Sequence, residues 1–162
     1  MSHIEENIIR AGFRLPDSPV PAGLYLPAIV EGNMVYTSGQ LPLSEGRLVQ
    51  PGGKGRVGES NCAEAAKASE TALLNALAAI RCATGSLDRI DRIVRLTVYV
   101  ASDSGFSGQH LVANASSTLL IEFFGEKGRH VRSAVGVASL PLGASVELEL
   151  VATCRNTAGS CS

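Results

Sequence analysis

A chain of 162 residues with a formal charge of −1 at pH 7 is one domain in length and large enough to bury a hydrophobic core. That near-neutral balance excludes bulk attraction to nucleic acid or to an anionic membrane surface. No apolar run reaches the ~20 residues of a membrane span, and residues 1–14 lack the basic start and apolar stretch of a secretory leader, so a cytoplasmic location is expected.

In chain order, Ser2-His3-Ile4-Glu5 has capping-box form, and Ile4, Ile8 and Ile9 share one helical face. This predicts a short N-terminal helix ended by Gly12 and Pro16. Residues 1–20 are read as that helix with a proline-punctuated connector, 21–155 as the main domain and 156–162 as a frayed polar tail. Two short strands are predicted over 25–30 and 34–38, around a Glu31-Gly32-Asn33 turn. The glycine-rich stretch 46–58 has Lys54 followed by Gly55, not by the Ser or Thr of a phosphate loop. It reads as a flexible surface loop with a small edge strand at 47–49.

The spacing predicts a long helix over 59–83, with a stripe of Ala66, Glu70, Leu73, Leu77 and Ile80 widened by Ala63 and Leu74. Gly85 closes it. A strand over 93–100 puts Val94, Leu96, Val98 and Val100 on one face, and Arg95, Thr97 and Tyr99 on the other. A second helix over 106–124 carries Leu111, Ala115, Leu119 and Phe123 inward. After a loop at 125–128 come two more strands, over 131–138 and from 146 onward. Runs of strand broken by two helices give an α+β fold, a sheet covered by helices on one face. The other face, rich in apolar side chains, points to oligomerisation.

Cys62 and Cys82 sit ~30 Å apart along one predicted helix, beyond disulfide reach. Cys154 and Cys161 fall toward the tail, no CxxC pair occurs, and His3, His110 and His130 have no metal-ligand spacing, so no metal is expected.

Two charged residues stand inside the closing apolar strands, Arg132 and Glu147. Alternation puts Arg132, Ala134, Gly136 and Ala138 on one face, and side chains that small leave an open space before the cation, fit for a small anionic ligand. A guanidinium matches a carboxylate, and a glutamate can hold water or move a proton. The alternative is an ion pair of Arg132 with Glu147, Glu149 or Glu122. If the two strands form a hairpin, Arg132 faces about Thr153 and Glu147 about Ala138, roughly 20 Å apart. A site using both then needs two subunits. Thr37-Ser38-Gly39-Gln40-Leu41-Pro42 is the other informative stretch: a strand ending in Ser-Gly can offer a hydroxyl and a backbone N–H to a ligand, or can be a plain strand-to-turn transition. It is not a nucleophile elbow.

At these residues the chain resembles the RidA/YjgF family of small trimeric proteins. Residues 32–42, GNMVYTSGQLP, are similar to the family's early GN-(apolar)-SGQ-(apolar)-P segment. The run from Val131-Arg132-Ser133 through Leu140-Pro141 to Val146-Glu147-Leu148-Glu149 is similar to its closing segment, with matching Arg-to-Glu spacing. The resemblance covers roughly residues 24–152. It implies a chorismate-mutase-like α+β subunit with a mixed sheet and two helices on one face. Three such subunits pack sheet-inward as a barrel with ligand clefts between them. It also implies hydrolytic deamination of reactive 2-imino or enamine acids to 2-oxo acids and ammonia, with no cofactor, since a protonated imine is already electrophilic. Arg132 then grips the substrate carboxylate, Glu147 positions water, and Tyr25, Ser38 and Gly39 complete the substrate site.

The chain departs from the family pattern around that arginine. His130-Val131 replaces Pro-Ala, and Ala134 and Gly136 stand where cysteine and glutamate are frequent. A non-catalytic small-carboxylate sensor on the same cleft is therefore the main rival function. Ribonuclease action, a third, is opposed by the near-neutral charge and the absence of a basic patch.

Overall fold

The computed structural model describes residues 2–17 and 23–155; residues 18–22 of the connector and the 156–162 tail, Cys161 included, lie outside them. Helix α1 (His3–Arg10) starts where its capping box places it, with Ser2 Oγ accepting from Glu5 N at 3.1 Å. Asp88 completes the cap, its carboxylate accepting from His3 N at 2.8 Å and Ile4 N at 2.9 Å. Burial opposes that carboxylate's charge, but the backbone bonds from Ile4 and His3 outweigh it and hold the group below the usual carboxylate range. Ile4 and Ile8 join the core, and Phe13 meets Phe123 edge-on at 5.9 Å.

Strands β1 (Ala28–Glu31) and β2 (Met34–Thr37) form a hairpin in which Glu31 faces Met34, so Gly32 and Asn33 make the turn; Gly32 supplies φ 61°. The first strand starts three residues later than predicted, immediately after Pro27, which has no N–H to give to a ladder. A two-stranded ribbon follows, β3 (Leu43–Ser44) and β4 (Arg47–Leu48). Glu45 and Gly46 turn it with φ 51° and 76°, the left-handed pair of a type I′ turn. The rest of the glycine-rich stretch is not a loose loop. Val57 is fully buried, Lys54 bridges to Ala144, and a Cβ on Gly52 would come within 2.2 Å of the Glu64 carbonyl.

The remaining elements are α2 (Cys62–Thr84), β5 (Ile90–Ala101), α3 (Gln109–Phe124), β6 (Val131–Val137) and β7 (Val146–Cys154). The main sheet runs β1-β2-β7-β5-β6, with β5 and β6 parallel and the other pairs antiparallel. The expected β6–β7 hairpin does not form. A helical crossover through α3 returns β6 parallel to β5, as a β-α-β connection must. The chain then passes the end of β5, where Ala101 N donates to Ser145 O and Ser102 N to Val137 O, and β7 descends on β5's other edge.

Helices α2 and α3 cover one face of this sheet, over Val35, Leu96, Val98, Val100, Val146, Leu148 and Leu150, all essentially inaccessible. The predicted alternation of β5 fails at one position. Ile93 pairs with Ala152 and Arg95 with Val151, so Val94 is the extra residue of a bulge and Ile93, not Val94, points inward. The helix stripes also differ from expectation. In α2 Leu73, Leu77 and Ile80 are buried as predicted, but so are Ala65, Ala68, Ala72 and Ala76, because the helix is wedged between sheet and α3. In α3 the inward residues are Val112, Ser116, Leu119, Leu120 and Phe123, and Leu111 is exposed. Among the described residues, the open sheet face carries Ile29, Tyr36, Val131 and Val135 as exposed apolar groups, beside Glu147, Glu149 and Tyr99.

Candidate functional site

The segment after β2 is built by a mismatch between strands. Tyr36 pairs with Val151 and Gln40 with Leu148, so three residues, Thr37, Ser38 and Gly39, span what two cover on β7. The extra residue pushes Ser38-Gly39 out of the ladder as a bulge. Thr37 repairs the broken ladder, its buried Oγ1 accepting from Leu150 N at 2.9 Å. Asn75 of α2 secures the far side by donating Nδ2 to the carbonyls of Leu41 (3.0 Å) and Leu43 (2.9 Å).

Ser38 is committed to its own chain. Its hydroxyl donates to Leu26 O at 2.5 Å and its N–H to Pro27 O at 2.8 Å, leaving the hydroxyl only its lone pairs for a ligand. Gly39 N–H has no acceptor among the described residues. Glu147 of β7 lies directly over Gly39: a Cβ there would stand 1.9 Å from Glu147 Oε1. The glycine is required by this approach, because its backbone has no other reason to avoid a side chain.

The Glu147 carboxyl is half-buried, and burial, with the like charge of Glu149, pushes its pKa above the usual carboxylate range. Glu149 accepts from Tyr99 Oη at 3.1 Å. Burial, this hydrogen bond and the charges of both glutamates raise the Tyr99 phenol in turn. Tyr99 stands beside Glu147 in the sheet register, so the three form one acidic cluster on the open face. Below it, Leu26, Ile29, Tyr36, Thr37 and Ser38 line a groove of about 260 Å³. Tyr25 is exposed one residue before Leu26, outside that lining.

Arg132 is elsewhere. Its register partner is Leu96 of the covered face, so it points toward α3 while Glu147 points to the open side. Its Nη1 donates to Asn114 Oδ1 and Ser117 Oγ, each at 3.0 Å, and Nη2 lies 3.5 Å from His110 O. The two charged residues are two strands and three register rows apart, roughly 14 Å between Cα atoms, on opposite faces. They share no pocket within a chain. Among the described residues, salt bridges join Arg56 to Asp103, Arg81 to Glu5, Arg129 to Glu126 and Arg155 to Asp91, so Arg132 makes no ion pair with Glu147, Glu149 or Glu122.

Of the small residues after Arg132, Gly136 and Ala138 are exposed. Ala134 packs against the core, and a Cβ on Gly136 would come within 2.8 Å of Gln109 Nε2 and 3.0 Å of Ser102 Oγ. The structure thus brings Ser38, Gly39 and Glu147 together and leaves Arg132 apart. Sequence reasoning missed Asn114 and Ser117, whose three-residue spacing puts them on one face of α3. His130 stood out in the sequence only as a departure.

The architecture has close counterparts. A family model described as "YjgF/chorismate_mutase-like, putative endoribonuclease" matches residues 5–154, a span that takes in α1 from Glu5 onward. Protein TCP17 of Trypanosoma cruzi is 38% identical over 157 residues, covering 94% of this chain and 95% of that protein. The crystal structure of Atu1372 from Agrobacterium tumefaciens, a protein of unknown function, has a TM-score of 0.85 at 39% identity, over 94% of this chain and 93% of that one. A 2-iminobutanoate/2-iminopropanoate deaminase of Dermatophagoides farinae is 29% identical over 136 residues, 84% of this chain and 90% of that protein. No described helix is long and apolar enough to cross a membrane. With a family model spanning nearly its whole length and relatives above 30% identity over the same span, the chain belongs to the YjgF/chorismate-mutase-like family.

Proposed function

We propose that this protein hydrolyses reactive 2-imino acids, and the enamines that tautomerise to them, to 2-oxo acids and ammonia in clefts between the subunits of a homotrimer. The observation that carries the reading is the division of the two charged groups between opposite sheet faces, each without a salt bridge among the described residues. One small ligand can touch both only where a second copy brings its Arg132 to the first copy's Glu147. The exposed apolar groups of the open face support the same assembly, which would cover them. The imine deaminase among the relatives supports the chemistry.

Arg132 holds the substrate carboxylate through paired N–H donors. Glu147, more basic than an ordinary carboxylate, takes a proton from water as the oxygen bonds to C2 of the protonated imine, and the C=N pair moves to nitrogen. The proton passes from Glu147 to the amine of the carbinolamine. The C–N bond then breaks, the hydroxyl O–H electrons form the ketone, and that last proton leaves with ammonia as ammonium. Gly39 N–H is the donor that faces the attacking oxygen, and Ser38, Tyr25 and the groove wall border the substrate side chain.

The test is to generate 2-iminobutanoate with a threonine dehydratase and follow its loss with and without the protein. Acceleration by wild type, lost in Arg132→Ala and Glu147→Gln, is the expected result; no acceleration overturns the reading. The rival, a carboxylate-binding protein without turnover, rests on the departures at His130, Val131, Ala134 and Gly136. It predicts binding of 2-oxobutanoate in calorimetry with no change in imine lifetime.

A further inference from the structure

Behind Arg132 runs a chain of hydrogen bonds that the reaction above does not use. His130 Nδ1 lies 2.6 Å from Gly128 O, and His130 Nε2 lies 2.9 Å from Ser117 Oγ, the same oxygen that meets Arg132 Nη1 at 3.0 Å. Donor and acceptor roles follow from chemistry alone. A carbonyl only accepts, so Nδ1 carries the hydrogen, and in the neutral ring Nε2 is then an acceptor. Ser117 gives Nε2 its single proton and turns its lone pairs to the guanidinium.

Each anchor of this chain is itself fixed. Gly128 is seated on α3, where a Cβ would come within 2.0 Å of the Leu120 carbonyl. Ser117 and Asn114 project from one face of α3, three residues apart. Between them Ser117 Oγ and Asn114 Oδ1 take both hydrogens of Nη1. Nη2 has only the long contact to His110 O, and Nε has no acceptor among the described residues. The donors left for a ligand are Nε–H and Nη2–H, which share one edge of the planar guanidinium and match the two oxygens of a carboxylate.

The geometry points to Ser117 and His130 as positioning residues that lock Arg132 with its Nε/Nη2 edge turned to the substrate carboxylate. The inference rests on the reading of Arg132 as carboxylate clamp. Ser117 and His130 act through Arg132 and touch no reacting atom.

The test measures KM and kcat for 2-iminobutanoate, and calorimetric affinity for 2-oxobutanoate and its neutral amide, in four proteins: wild type, Ser117→Ala, Ser117→Thr and His130→Phe. Alanine is the best helix former, so Ser117→Ala keeps α3. Loss of one hydrogen bond to a charged group should raise KM and weaken 2-oxobutanoate binding about tenfold, with kcat within about twofold. Ser117→Thr, which keeps the hydroxyl, should restore both. His130→Phe should show a smaller loss of the same kind, and the amide should bind all four proteins alike. Carboxylate affinities unchanged in Ser117→Ala and His130→Phe, or equal losses for carboxylate and amide, overturn the lock while leaving the clamp standing. A wild type that neither binds 2-oxobutanoate nor shortens imine lifetime overturns the clamp and the lock together.

Discussion

The Glu147 carboxyl rests against the α-carbon of Gly39 so closely that a methyl group there would stand 1.9 Å from Oε1. The atom in the way is the end of a flexible side chain, so the fold can yield but the site cannot. Gly39→Ala should leave the melting temperature nearly unchanged while displacing the carboxyl and lowering kcat/KM for 2-iminobutanoate by about 100-fold. Thermal melts and steady-state kinetics on the same preparation check both halves.

Glu147 also sets a pH dependence whose sign is fixed. Its folded-state pKa lies above the ordinary 4.5, so the folded chain binds that proton more tightly than the unfolded one. Stability therefore falls as pH rises from the unfolded value through the raised folded value. Glu147→Gln should lose this dependence and melt no lower than wild type at pH 8. Wild-type kcat/KM should climb as pH passes the raised value, because the carboxylate is the base. Melting and activity profiles from pH 4 to 8 decide it.

Thr37 offers a test of the bulge apart from chemistry. Thr37→Val keeps the shape but strips the acceptor from Leu150 N inside the sheet, a buried donor left unpaired. The expected cost is about 1–3 kcal/mol in urea unfolding, with the denaturant slope unchanged.

The opposed faces of Arg132 and Glu147 allow a mixing experiment. If each cleft takes Arg132 from one subunit and Glu147 from the next, Arg132→Ala and Glu147→Gln chains, each inactive alone, complement each other when co-refolded. Random 1:1 trimers would restore about a quarter of the clefts. No regain of activity in trimers of mixed mass means that both groups of a working cleft come from one chain.

Much of this was legible in the residues. Ser2 and Glu5 announced the helix cap, and the Ser38-Gly39 and Arg132/Glu147 motifs announced the family. What was not legible came from contacts distant in sequence. Placing β5 between β6 and β7 depends on the crossover through α3, which local spacing does not record, so the inferred hairpin was wrong. The bulge at Val94 shifted a face that strict alternation assigned otherwise. Gly136 was read only as one of the small residues after Arg132, whereas Gln109 and Ser102, distant in sequence, crowd the place of its missing side chain. Asn114 and Ser117 show their role only once α3 lies against β6.

The double grip of Asn75 on the carbonyls of Leu41 and Leu43 makes a mechanical divide in the chain. On one side stand Ser38 and Gly39; on the other is a ribbon whose tip, Glu45-Gly46, is exposed. Length and sequence at that tip are insulated from the site. It is the place where this scaffold can accept an inserted tag or reporter group without moving the glycine on which Glu147 rests.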